Sequence, residues 1–320
     1  MKGISVLSLG VMAMDTVISV SELPRADGFG FIDAERVVPG GSASNASVAL
    51  VQLGASVRQA GKVGDDLVGG DLVRSLTDEG IDVSCLVTQK GGTTFHTYVF
   101  AAPGGEHCIF ANIGDCVTKL RPLELPPDLL DGIDVFYTDF FAPEAALYLA
   151  EQSSKRGIKV VFNLQCPPLF MGRIGASRED IGRMMALSDL FLMGRAGYGG
   201  LCGGDLGEQA VFSALSSILG RFGPADGVIL TCGEDGAFWC DHEGMLHVEA
   251  YPVAVADTTG AGDCFSAGLI CGFYGEGMGK TASLRFAAAA AALKCTQHGP
   301  RVRTSREEVL RFVEEREQKV

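Results

Sequence analysis

The residues with the most chemical content lie in Asp257-Thr-Thr-Gly-Ala-Gly-Asp263, which runs straight into the apolar Cys264-Phe-Ser-Ala-Gly-Leu-Ile-Cys271. Glycines followed by an unbroken apolar run predict a tight turn and then a buried helix. The first turn of such a helix presents free N–H groups, here those of Gly260, Ala261 and Gly262, with the positive end of the helix dipole behind them. That is a ready anion site. Asp263 lies at the same helix end, where the field favours its ionised form and a low pKa. Amides that grip an anion beside a carboxylate suit phosphoryl transfer: the amides stabilise the moving phosphoryl oxygens while the acid takes the acceptor hydroxyl's proton. A weak base suffices, because a loose transition state draws its stabilisation mainly from positioning and charge. For a bare G-x-G-D, a capping Asp at a Gly-rich helix start is the plainer reading. The full seven-residue run favours the functional one.

Gly40-Gly-Ser-Ala-Ser-Asn45 is a second candidate. Paired glycines let a polyhydroxylated ligand approach the main chain, and Asn45 offers both a donor and an acceptor. Turn chemistry explains Gly40 and Gly41 about as well. Asp15 follows the first strand, and a carboxylate there could accept two neighbouring hydroxyls. The plainer alternative is a loop Asp. Ligands of open α/β sheets lie beyond the carboxyl ends of the strands, which is where Asp15 falls.

These residues need a frame to hold them. The pattern predicts a strand at 4–9, helices at 43–53 and 66–79, a strand at 133–138 and a helix at 143–156. Strands at 158–163 and 188–193 follow, then a helix at 207–221 and a strand at 227–231. Two helices, 261–274 and 280–295, come next, and Ser305-Arg-Glu-Glu308 opens the last helix with a capping box. Strands separated by helices imply a three-layer α/β/α fold with a mostly parallel central sheet. Residues 11–36 and 92–117 read as short strands without a helix between them. In Thr94-Phe-His-Thr-Tyr-Val-Phe100, alternation puts apolar bulk on both faces, which predicts a small sheet that covers something.

Composition narrows the partners. The chain has 320 residues, 47% of them hydrophobic, and a formal charge of −13, which repels nucleic acid. Ten cysteines without a C-x-x-C pair read as reduced, buried small hydrophobes and favour the cytoplasm. The longest uncharged run, 37–57, is too rich in Gly, Ser, Pro, Asn and Gln to span a membrane, and the N-terminus does not read as a signal peptide. Gly275-Glu-Gly-Met-Gly-Lys-Thr281 imitates a P-loop, but position 274 is Tyr and a helix rather than a strand precedes it.

Over roughly 4–315, the chain resembles the ribokinase-like (PfkB) carbohydrate and nucleoside kinases. The Gly-Gly…Asn element is similar to their N-terminal signature and Asp257–Asp263 to their C-terminal one. Thr231-Cys-Gly-Glu-Asp-Gly236 resembles their nucleotide-side turn, and Arg285 to Gly299 the Ala-rich helix and loop beside the adenine. The resemblance implies one kinase domain over 1–320, with 11–36 and 92–117 as its β lid and dimer contact. It implies transfer of the ATP γ-phosphate to a sugar hydroxyl, with Asp263 as base and the 260–262 amides as anion hole. Asp15, Gly40, Gly41, Asn45 and Asn163 would hold the acceptor, and Thr231, Gly233, Gly236 and Gly299 the nucleotide. Mg²⁺ would accompany ATP, and a monovalent cation such as K⁺ could sit near Asp257. Excluding water under the lid would suppress ATP hydrolysis.

The sequence departs from the family in three places. Gly194-Arg-Ala-Gly197 replaces an N-x-x-E motif tied to Mg²⁺ and phosphate, which leaves Arg195 as a candidate for neutralising phosphate charge. Ser42 and Phe141 stand where ribokinases have Lys and Glu, so ribose specificity is not implied. His96, Tyr98, Phe110 and Phe141 are candidates for the pocket wall, with ordinary packing as the alternative. Two other readings stay open: a nucleoside kinase of the same fold, and a non-catalytic sugar- or nucleotide-sensing protein.

Overall fold

The computed structural model describes residues 3–103 and 106–317. Along the chain the strands are β1 (Ser5–Leu9), β2 (Ala13–Val20), β3 (Ile32–Gly40), β4 (Ser56–Gly64), β5 (Leu86–Gln89), β6 (His96–Ala101) and β7 (His107–Asn112). They continue with β8 (Val135–Thr138), β9 (Lys159–Leu164), β10 (Leu190–Gly194), β11 (Gly227–Thr231), β12 (Ala237–Asp241) and β13 (Gly244–Val248). Nine form one sheet in the order β13-β12-β11-β10-β9-β8-β1-β4-β5, and four form another in the order β3-β2-β6-β7.

The large sheet is parallel from β11 to β5, with β12 and β13 added antiparallel at one edge. Alternation along its strands divides the core in two. Phe136, Val160, Phe162, Phe191 and Leu230 join one buried cluster, while Val135, Tyr137, Val161, Leu192 and Ile229 join the other. Helices over both faces explain why these strands are apolar on both sides. Parallel pairing also brings the carboxyl ends of β1, β8, β9, β10 and β11 to one edge, and the loops leaving that edge carry the chemistry.

The small four-stranded sheet is built as expected from two separate segments, but its bounds shift. β3 runs to Gly40 rather than ending at 36, so the double glycine is the junction between lid and helix Ser42–Gln52. Only β2 and β6, the two inner strands, pair in parallel. The helix expected over 261–274 is α-helical over Ala261–Leu269 and becomes a π-helical turn over Ile270–Gly275. It packs against Lys280–Cys295 so closely that a Cβ on Gly268 would lie 2.9 Å from the Cα of Ala287. That contact accounts for Ala287 and Ala290, where larger side chains would hold the helices apart.

Candidate active site

Asp263 lies in the first turn of the 261–269 helix and is 7% exposed. Gly260 caps that helix at φ 79°, and a Cβ there would meet the Pro300 carbonyl at 2.0 Å. Only glycine fits so tight an entry. The carboxylate is held by donors from two other elements. Ser42 Oγ donates to Oδ1 at 2.5 Å, Gln165 Nε2 to Oδ1 at 3.2 Å and Asn45 Nδ2 to Oδ2 at 3.0 Å. The two signature segments therefore meet at one carboxylate. The expected low pKa is overturned: burial raises the Asp263 carboxyl, against the pull of Ser42, Asn45 and the charge of Lys294. A raised pKa makes Asp263 a stronger base than the helix dipole alone would leave it.

The double glycine is steric as well as conformational. Gly41, at φ 93°, would place a Cβ 2.6 Å from the Val11 carbonyl, and a Cβ on Gly40 would lie 2.0 Å from Asp15 Oδ2. Asp15 accepts from Thr97 Oγ1 of the second lid segment at 2.6 Å, and burial raises its carboxyl while Thr97 lowers it. Asn45 Oδ1 is buried and has no partner among the described residues. A buried acceptor left open in this way fits a ligand hydroxyl.

Asp139, directly after β8, escaped the sequence reading. It has no exposed surface, and its two oxygens accept from the amides of Val11 at 3.0 Å, Ala43 at 3.1 Å and Phe141 at 3.1 Å. Burial pushes its carboxyl up to about 7, despite those three amides. A single Asp after an apolar strand reads as a loop residue in sequence, because its three partners come from distant or irregular positions.

Asn163 is buried near the carboxyl end of β9. Its Nδ2 donates to Ser266 Oγ at 2.9 Å and to Tyr137 Oη at 3.2 Å. At the same sheet edge, Thr231 ends β11 beside Gly194 and leads into the turn that holds Gly233 and Gly236. Arg195 donates to the Cys232 carbonyl at 2.5 Å and pairs with Asp235, so it fastens that turn. Gly299 donates its amide to Asp257 Oδ2 at 2.9 Å, tying the late loop to the 257–260 turn. The Asp257 carbonyl, near which a monovalent cation was expected, accepts from Lys294 Nζ at 2.8 Å, so an ammonium stands beside that position.

The aromatic candidates separate. Phe141 is buried against Phe95 and Phe170, with ring centroids at 6.3 and 6.1 Å. In the lid register Thr97 shares a face with Asp15, so His96, Tyr98 and Phe110 belong to the opposite face. They do not wall the acceptor side.

Parallel sheet, covering sheet and a buried carboxylate at a helix start together describe a ribokinase-type architecture. The pfkB family carbohydrate kinase model matches residues 4–306, and the chain belongs to that family. It is an ATP-dependent phosphotransferase that acts on a sugar. Over 313 residues it is 28% identical to the ATP-dependent ribose-1-phosphate kinase of Halopiger xanaduensis, covering 98% of this chain and 99% of that one. Over 239 residues it is 30% identical to the aminoimidazole riboside kinase of Salmonella typhimurium, covering 72% of each. The ribokinase of Arabidopsis thaliana, solved with ribose and ATP, superposes with a TM-score of 0.82 at 20% identity over 98% of this chain and 99% of that one. At that identity the likeness concerns the fold alone.

Proposed function

We propose that the chain moves the γ-phosphoryl group of MgATP to a hydroxyl of a small sugar bound between the lid and the carboxyl edge of the sheet. The acceptor's O–H proton passes to Asp263 as the new O–P bond forms, the bond to the β-phosphate breaks and ADP leaves. The amides of Gly260 and Gly262 stabilise the moving phosphoryl oxygens, whereas the Ala261 amide, expected to join them, donates to the Thr258 carbonyl at 3.1 Å and closes the turn. Asp15, the open Oδ1 of Asn45 and the backbone at Gly40 and Gly41 receive the sugar hydroxyls, whereas the Asn163 amide is committed to Ser266 and Tyr137. The 231–236 turn and Gly299 border the nucleotide, and Mg²⁺ enters on the phosphates.

One observation carries this reading: a buried carboxylate at a helix start on which Ser42 and Asn45 of the double-glycine helix converge. Asp263→Asn should keep acceptor and ATP binding and lower kcat by about 10²–10⁴, the range of a general base. A loss below about tenfold would mean that another group takes the proton. Turnover across sugars, sugar phosphates and nucleosides separates the sugar reading from the nucleoside one. Absence of turnover with every acceptor, but retained binding, would favour the sensing alternative.

We also infer a homodimer through the lid. Val37, Tyr98 and Phe110 are exposed on the lid face away from Asp15, an apolar row that a second copy would cover. The whole chain then acts as one kinase unit. Its ten unpaired cysteines fit a reducing cytoplasm, and among the described residues no helix is long and apolar enough to cross a membrane.

A further inference from the structure

Lys294 ends a run of alanines on the helix Lys280–Cys295 and has no exposed surface. A buried ammonium is costly unless charge or polar groups nearby repay its lost hydration. Here its one hydrogen bond among the described residues goes to the carbonyl of Asp257, the first residue of the anion-hole loop. The same loop is pinned to the end of that helix at three further points: the amides of Ala256 and Asp257 donate to the Cys295 carbonyl at 2.8 and 3.2 Å, and Asp257 Oδ2 accepts from Gly299. The helix's negative end accommodates a cation in its last turn. That effect explains a basic residue near the end of the helix, but an exposed side chain would provide it at lower cost. Burial and the Asp257 contact call for a further reason.

We propose that Lys294 is a built-in cation: its ammonium stands behind the anion hole, fixes the 256–260 loop and supplies the positive charge that a bound monovalent ion would otherwise bring. The proposal rests on the kinase reading for its purpose, although the charge substitution itself can be read without turnover. Lys294 does not touch the reacting atoms, so it is a positioning residue. Its field reaches the base, since it is among the groups that lower the Asp263 carboxyl, and it also lowers Asp257. A tethered ammonium cannot be exchanged for Na⁺ or diluted away, so the enzyme should be indifferent to the monovalent salt around it.

The test begins with the full wild-type chain, melted at fixed ionic strength in KCl, NaCl, NH₄Cl or choline chloride. Equal melting temperatures are expected. Selective stabilisation by K⁺ over Na⁺ and choline would show an open cation site and overturn the proposal. Lys294→Ala vacates the place, and selective stabilisation of this variant by K⁺ or NH₄⁺ is expected through binding to the folded state. With any acceptor that turns over, Lys294→Met should lose about tenfold or more in kcat with little change in acceptor KM, as fixed charge behind an anion hole acts mainly in the transition state. Lys294→Arg should retain part of that activity, and K⁺ or NH₄⁺ should restore part of it to Lys294→Ala. A Met variant with wild-type kcat overturns the proposal. If the variants fail to fold, the wild-type salt comparison still decides. If no acceptor is phosphorylated, the kinase reading fails while the melting experiment remains interpretable.

Discussion

Burial raises the Asp263 carboxyl, whereas Ser42 and Asn45 favour its charged form. A general base acts only when ionised, so kcat/KM should rise with pH through the pKa of Asp263 in the free enzyme. Ser42→Ala removes a donor that stabilises the anion. The acid limb should therefore move to higher pH, by about one unit, for loss of a hydrogen bond to a buried carboxylate. A limb that stays in place would mean that Ser42 does not set this acidity. At this scale Asp263, Gly40, Gly41 and Asn45 were legible because residue type and spacing state their chemistry together. Asp139 and Lys294 were not. One looks like a loop acid and the other like a solvated helix end until the fold supplies their partners.

Asp139 shows what a single side chain does for several elements. It joins the end of β1 at Val11, the start of the 42–52 helix at Ala43 and the turn at Phe141. Asp139→Ala would leave three buried amides without acceptors, at a cost of about 3 kcal/mol or more. The sign of its pH dependence follows from a carboxyl raised from 3.8 to about 7. The folded state holds a proton that the unfolded state releases, so the contribution of Asp139 to stability is full below pH 3.8 and is lost as pH rises through 7. Denaturant titrations should therefore show a larger penalty for Asp139→Ala at pH 5 than at pH 8. An equal penalty would mean that the carboxyl is not raised. Helix ends were readable where capping is local: Ser305 and Glu308 form the expected box, with Ser305 N to Glu308 Oε2 at 2.7 Å. Strand β4 was not, because Gln59 and Lys62 interrupt its apolar run. Both are buried and satisfied by non-local partners, Gln59 by Ser47 and the Ser8 carbonyl and Lys62 by Glu124.

Across the whole molecule, the alternation of strand and helix carried the central sheet, and the interruption of that rhythm marked the lid. Neither gave the register that places His96, Tyr98 and Phe110 away from Asp15, because alternation sorts residues into two faces without saying which one looks inward. The outer face yields a test of assembly. Phe110, 63% exposed, becomes a buried contact in the inferred dimer, so Phe110→Asp should convert a dimer to a monomer in sedimentation while leaving the melting of each subunit nearly unchanged. A wild-type monomer at micromolar concentration would remove the inferred assembly.

Strand β3 passes through Gly40 and Gly41 directly into the helix that carries Ser42 and Asn45, so any displacement of the covering sheet would pivot beside the Asp263 carboxylate. In such a displacement the glycine pair would be a fulcrum, with the covering sheet as the long arm of a lever whose short arm holds the carboxylate. Sugar arriving under the far end would then adjust the carboxylate at the near end, coupling occupancy to readiness. Amide hydrogen exchange over residues 42–47 should slow when acceptor alone binds, before any nucleotide is present.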